Sequence, residues 1–341
     1  MIIFEILLLA FLIVCAISVS FIKRLTSTII VFMSFSIVMS IIWMLLESPD
    51  LALTEAAVGA GISSVLFFLL IKRIHAMGGY PSSGTQGQKQ TSSARTMYCV
   101  CSIIFVSVII VAFLVALAEM PPFGDPSNPT NNEVYVRYVE QGMAETGAIN
   151  IVAAVILDYR AFDTMGEAFI LFTVMVFTTS LLKTSYALDI PEDSKKKEPV
   201  ILRVIVMIIV PFLMVYGLYV LFNGHLSPGG GFSGGAVLGA GLSLYAAAFG
   251  VDKVRKIFSL NTYTICSGCA LLFYALVKGY SFIMGANGNK PGFPLGTPGN
   301  LLSSGLILPL NVCVGVLVTF TMYDLFVLFS ETEKQGESKW T

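Results

Sequence analysis

The sequence predicts an all-α integral membrane protein with about nine transmembrane helices, from three observations. First, hydrophobic residues make up 56% of the chain and charged residues only 12%, with a mean hydropathy of +0.83. An average soluble domain is roughly one-quarter charged. A chain of 341 residues in water could not bury so much apolar surface, so lipid has to be the solvent for much of it. Second, apolar runs of roughly twenty residues, long enough to cross a bilayer, fall at 2–22, 25–46, 50–71, 97–118, 164–183, 200–222, 232–250, 260–284 and 303–329. Third, the basic residues sort by loop. Lys23-Arg24, Lys72-Arg73, Lys195-Lys196-Lys197 and Lys253 to Lys256 share one side of this arrangement; the other side holds only Arg137, Arg160 and Lys290. The positive-inside rule then sets the N-terminus outside and the C-terminus in the cytoplasm.

Each piece of the chain fits this scheme. The first apolar run lacks a preceding Lys or Arg and a small-residue cleavage site, and is expected to be a retained helix and not a signal peptide. Residues 132–146 place Val134, Tyr135, Tyr138, Val139, Gly142 and Met143 on one helical face, the pattern of an amphipathic surface helix. Residues 148–157 are apolar but too short to span, and a crossing there would destroy the charge asymmetry. They are expected to be re-entrant or packed against other helices. Residues 76–96, rich in Gly, Ser, Thr and Gln, and the charged stretch 188–199 are expected linkers. They divide the chain into a three-helix unit (1–75), a two-helix unit with a re-entrant segment (97–187) and a four-helix unit (200–330).

Composition excludes several classes of function. A net charge of -1 with no basic block gives no sign of nucleic-acid binding. The six cysteines, including the Cys266-x-x-Cys269 pair, all lie in apolar stretches with no second Cys/His pair, so they are expected to pack and not to bind metal. No nucleophile triad, zinc signature or cofactor fingerprint is present, and the chain is not expected to be an enzyme by itself.

Ionisable groups inside spans are costly and therefore candidate functional groups. Glu55 follows Ser48-Pro49, a helix start with a cap residue and Pro at the first helical position. It shares a face with Gly59, and Ala56, Ala60, Ser63 and Ser64 make the helix thin, so it should point into protein. Asp158, Arg160, Asp163 and Glu167 form a second group. Thr164-x-x-Glu167 fits a capping box with Asp163 as an alternative cap, and Arg160 can pair with Asp158 or Asp163. Alternatively, Glu167 and its neighbours line an ion path beside the non-spanning segment. Lys278 sits within a span and needs a carboxylate, water or an outward-reaching pose. His225 precedes Gly229, Gly230, Gly231, Gly234 and Gly235; it is either a proton carrier or a loop donor. Without a preceding strand or a following Gly-Lys-Ser/Thr, this glycine run is expected to give close backbone approach and not phosphate binding.

These motifs resemble one group of families. Pro49-Asp50 through Thr54-Glu55, Gly59 and Gly61 resembles the C-terminal part of the large A subunit of Mrp-type multisubunit Na+/H+ antiporters and the small D subunit of membrane-bound hydrogenases. Asp158-Tyr-Arg-Ala-Phe-Asp163-Thr-x-Gly166-Glu167 resembles the segment that follows in those large subunits, or the separate hydrogenase E subunit. Gly224-His225-x-x-Pro228-Gly-Gly-Gly231-Phe-x-Gly234-Gly235 resembles the Mrp B subunit, whose domain has four helices. The resemblance does not extend to the large antiporter-like domain that precedes the first motif in the Mrp proteins, and the three small units are expected to be joined in one chain without it. The resemblance implies a membrane subunit of a cation/proton antiporter-type complex that contributes part of an ion path. Glu55 and Glu167 are then its leading carboxylates, followed by Asp158, Asp163, Lys278 and His225. It also implies other Mrp-like membrane subunits as partners, a large antiporter-like one among them, and the cell membrane of a prokaryote as location. No cofactor is implied, and Na+ is the one ion suggested. Two alternatives remain open: a membrane-arm subunit of a hydrogenase-like or ferredoxin-linked complex, with redox subunits as partners, and a scaffold without an ion path.

Overall fold

The computed structural model describes residues 2–76, 92–122, 124–128, 130–183, 200–255, 258–289 and 292–337. Among the described residues all regular structure is helical, and nine helices are long and apolar enough to cross a membrane. In chain order the elements are α1 (Ile2–Phe21), α2 (Leu25–Leu45), α3 (Pro49–Thr54), the π-helix π1 (Glu55–Ser63), α4 (Ser64–Ala76), α5 (Ser92–Ala118), α6 (Glu133–Thr146) and α7 (Ile151–Ala154). They continue with π2 (Val155–Tyr159), α8 (Ala161–Lys183), α9 (Val200–Phe222), α10 (Gly231–Phe249), α11 (Val251–Arg255), α12 (Leu260–Ala286) and α13 (Ile307–Glu337).

The linker expected at 188–199 lies outside the described residues, as does most of the one expected at 76–96. At its end the latter is corrected: α5 already begins at Ser92, so the polar residues 92–96 add a turn to the apolar span. The last span starts at Ile307 and not at 303, because Ser304 takes a left-handed φ of 68° that interrupts a helix.

Helix ends follow local chemistry. Asn132 caps α6 by accepting from the Tyr135 N–H at 3.0 Å, and Gly147, with φ 75°, closes it through a bond from its N–H to the Met143 carbonyl at 2.9 Å. Ser259 caps α12 through Thr262 N–H at 3.2 Å. Pro49 does occupy the first turn of α3, but Ser48 makes no capping bond; its hydroxyl turns back to the Leu46 carbonyl.

The core is organised around α13. Its buried Ile307, Leu310, Val314 and Val318 share one apolar cluster with Ile62 of π1, Ala153 and Ala154 of α7, Leu157 of π2, Ala236 of α10 and Tyr274 of α12. Each of these positions lies in the stretch that its spacing marks as apolar; their convergence buries the short segment 148–157, whose Ala148 and Ala154 are fully buried. The α10 face is built for backbone contact. A Cβ on Gly234 would lie 2.9 Å from the Gly217 carbonyl oxygen of α9, and one on Gly235 would lie 2.7 Å from that of Gly315 on α13. Glycines here let three helices approach closer than any side chain permits. By contrast α1 and α5 are apolar on nearly every side and almost wholly exposed in this chain, as helices facing lipid or a partner are.

Candidate functional site

Both non-α segments carry candidate carboxylates. Glu55 opens π1, a stretch of small residues in which a widened turn meets little side-chain resistance; Ser64 stabilises its end by donating to the carbonyl of Gly59, five residues back, at 3.3 Å. Short π segments inside helices frequently mark functional positions. The Glu55 carboxylate folds over Gly59 toward α2: a Cβ at Gly59 would meet Glu55 Oε1 at 2.6 Å and the Ser36 hydroxyl at 3.0 Å. Ser36 is buried and its hydroxyl completes no hydrogen bond within the protein. Glu55 is thus half-buried, on the side of π1 that faces Ser36 of the neighbouring helix.

The second centre forms where π2 breaks into α8. Arg160 N–H bonds the Val155 carbonyl, closing the wide turn at 2.8 Å, and α8 starts at Ala161. The capping box is therefore corrected. Thr164 and Glu167 lie inside α8, and the Thr164 hydroxyl donates to the Ile156 carbonyl at 2.7 Å instead of capping the helix. Asp163 is not a cap either; it pairs with Arg160 at 2.5 Å, both exposed. The tertiary break at Arg160, not the local motif, sets where the helix begins. Lys278 is 4% exposed and pairs with Asp158, whose side chain is 40% exposed. The partner that a lysine within a span requires is present, so Lys278 does not reach outward. Tyr274, buried beside them, donates to the Ala161 carbonyl at 2.9 Å and lies in the electrostatic field of both Asp158 and Glu167. Glu167 stands in the second turn of α8, exposed on this chain's surface although its helix is a span.

The remaining candidate, His225, belongs elsewhere. It is fully buried, its Nε2 lies 3.4 Å from the Asn300 carbonyl oxygen, and its own carbonyl accepts from the N–H groups of Ile149 and Asn150 at 3.1 Å each. Around it is a polar junction that sequence reasoning missed. Asp50 accepts from the Gly229 N–H at 2.8 Å and from Asn150 Nδ2 at 3.1 Å, while that same nitrogen donates to the carbonyls of Gly224 and Ser227 at 3.0 and 3.1 Å. Asn150 Oδ1 meanwhile caps α7 through Val152 N–H at 2.9 Å. Gly229 and Gly230 adopt φ of 134° and 144°, which side-chain-bearing residues avoid, and Gly231 N–H bonds Asn311 Oδ1 at 3.0 Å. The close approach expected of the glycine run is thus what it supplies. The only prior signal for Asp50 was its position inside the Pro49–Gly61 motif.

At the amphipathic helix, Tyr159 donates to Glu145 at 2.5 Å, and Arg137 bonds the same carboxylate at 2.9 Å, tying α6 to π2. That hydrogen bond, then the Glu145 charge, hold the Arg137 guanidinium above its ordinary pKa. Among the described residues no three His, Cys, Asp or Glu side chains converge as metal ligands, and the cysteines there are free thiols.

Comparison with known proteins gives this geometry a family. Residues 201–324 match the model of a domain related to the MnhB subunit of Na+/H+ antiporter; residues 10–76 match that of the MBH D subunit and residues 103–189 that of the MBH E subunit. The chain is 32% identical over 135 residues to the putative antiporter protein mnhB2 of Staphylococcus aureus (strain MRSA252), covering 87% of that protein and 40% of this one. It is 28% identical over 219 residues to the uncharacterized protein MJ1307 of Methanocaldococcus jannaschii, covering 78% of that protein and 56% of this one. Its fold matches the Mrp complex of Dietzia sp. DQ12-45-1b with a TM-score of 0.70 at 21% identity over 95% of this chain; the chain spans about a third (34%) of that solved chain. It also matches the membrane-bound sulfane sulfur reductase, an archaeal respiratory membrane complex, with a TM-score of 0.54 at 28% identity over 69% of this chain and 98% of that one. The chain belongs to the MnhB-related family of antiporter-type membrane subunits, joined here to segments of the D-subunit and E-subunit families of MBH.

Proposed function

We propose that this subunit supplies part of the ion path of a multisubunit Na+/H+ antiporter-type complex in a prokaryotic plasma membrane. The observation that carries the proposal is the centre at π2, α8 and α12. A buried ammonium, Lys278, is paired with a half-exposed carboxylate, Asp158. An exposed carboxylate, Glu167, stands on the adjoining span, and the charges of both acids reach the buried Tyr274. A charge on the lipid face of a span is costly. Glu167 and Asp158 therefore face a partner subunit or a water-filled seam shared with it, and the path runs between chains. Glu55 contributes a second carboxylate, His225 a candidate group at the loop junction, and Asp163 acts through Arg160. Na+ enters as cargo and not as a resident cofactor, and the subunit needs no catalytic site of its own. The segregation of basic loop residues supports a cytoplasmic C-terminus. The three family segments support a division of the chain near 76–96 and 188–199 into units that are separate subunits elsewhere.

The test is Na+-driven pH change in proteoliposomes of the assembled complex. Glu167→Gln and Glu55→Gln keep the shape and one acceptor oxygen but cannot exchange protons. Each is expected to lower transport by about tenfold or more at equal assembly. Wild-type transport in both variants would remove the ion path from this chain and leave a joining role.

One observation favours a second reading. The chain covers 98% of the matched subunit of the archaeal respiratory complex, so the same module also fits a membrane arm driven by redox partners. Co-purification of iron–sulfur subunits with this chain would select that reading.

A further inference from the structure

We propose that Asp324, Thr321, Ser267 and Tyr263 form a monovalent-cation site between α12 and α13, separate from Glu55 and Glu167. Asp324 lies in the apolar span Ile307–Ser330, is only 6% exposed, and its Oδ2 completes no hydrogen bond within the protein. Thr321, one turn earlier on α13, and Ser267 on α12 are fully buried, and Tyr263, one turn before Ser267, is 2% exposed. Their hydroxyls face one another, Tyr263 toward Thr321 and Ser267, and none completes a hydrogen bond of good geometry. The Asp324 charge reaches the Tyr263 phenol, so the carboxylate lies near this group of hydroxyls. More than nine-tenths of buried polar groups are hydrogen-bonded in folded proteins. An unpartnered carboxylate oxygen beside three hydroxyls that do not satisfy one another, all buried between two helices, therefore calls for a ligand that accepts lone pairs.

The chemistry of the donors selects that ligand. One carboxylate and three hydroxyls are hard oxygen donors suited to an alkali or alkaline-earth cation. The single negative charge balances a monovalent ion and would leave a divalent ion with uncompensated charge in an apolar interior. An anion is repelled by Asp324. The aromatic ring of Phe172 stacks on Tyr263 with centroids 6.1 Å apart, and Met175 packs there too, closing the α8 side with apolar groups. The charge of Arg255, exposed on α11, reaches Asp324.

The test reads binding and not transport, and variants of the Asp324 cluster, none of them at Glu55 or Glu167, separate this site from the ion path. Thermal unfolding of the purified complex is followed while NaCl replaces choline chloride at constant ionic strength. A cation bound by the folded state raises the unfolding temperature with concentration. Wild type is expected to show a saturable Na+-dependent rise. Asp324→Asn should move its midpoint up by about tenfold or more, and Thr321→Val by several-fold, each tenfold step being about 1.4 kcal/mol. Asp125→Asn, on an exposed loop where the carboxylate bonds only Ser127, should titrate as wild type. If Asp324→Asn does not assemble, Thr321→Val combined with Ser267→Ala carries the test. A Na+ response absent from wild type, or unchanged in the hydroxyl variants, overturns the proposal and assigns the oxygens to buried water.

Discussion

Cutting the Asp158–Lys278 pair from either end should have unequal effects. Lys278 is 4% exposed and Asp158 is 40% exposed. Asp158→Asn strands an ammonium in the core beside Tyr274, in the apolar cluster shared by π2, α12 and α13. Breaking a buried pair from one side costs about 3–5 kcal/mol. With the carboxylate end partly solvated, screening brings the value below that range, to about 2–3 kcal/mol. Lys278→Met fills the same space with an apolar chain and leaves behind a carboxylate that reaches the chain's surface. Its cost should stay within about 1 kcal/mol, and the double variant should recover most of the loss of Asp158→Asn. The assay is unfolding of the purified complex in mixed micelles by added denaturing detergent, compared across the four proteins. Equal destabilisation by the two single variants, or a double variant as unstable as Asp158→Asn, would refute the assignment of the buried end of this pair to Lys278.

Two further outcomes follow from other parts of the molecule. Asp50→Ala removes the acceptor of the Gly229 N–H and of Asn150 Nδ2 and should cost about 1–3 kcal/mol, read as reduced thermal stability; Asp50→Asn keeps one acceptor and should recover part of it, and an Ala variant as stable as wild type would show that this junction contributes nothing to stability. With a cytoplasmic linker, a cysteine placed at Ser92 in a background lacking the native cysteines should react with a membrane-impermeant thiol reagent only after the cells are opened. Labelling of intact cells would reverse the orientation.

The sequence alone determined the class of fold and most of the spans, because hydropathy and length are properties of each segment by itself: a run of about twenty apolar residues has to meet lipid whatever surrounds it. It also located the candidate groups, since a charge such as Glu55 or Lys278 in an apolar run is conspicuous before any contact is known. The glycines from Gly229 to Gly235 announced close approach through their lack of side chains. Tertiary structure decided what each group touches. Thr164-x-x-Glu167 has the local pattern of a cap, yet the helix starts three residues earlier because π2 breaks at Arg160, a choice made by packing of residues 148–157 under α13. Asp50 and Asn150 are ordinary helix-start residues until the chain brings them to Gly229, and their pairing spans separations that no local pattern encodes. Asp324 gave the faintest signal, one carboxylate late in the last apolar run. Only the packing of α12 on α13 buries it in one region with the hydroxyls of Tyr263 and Ser267, because the surroundings of a polar group depend on every neighbour and not on its own segment.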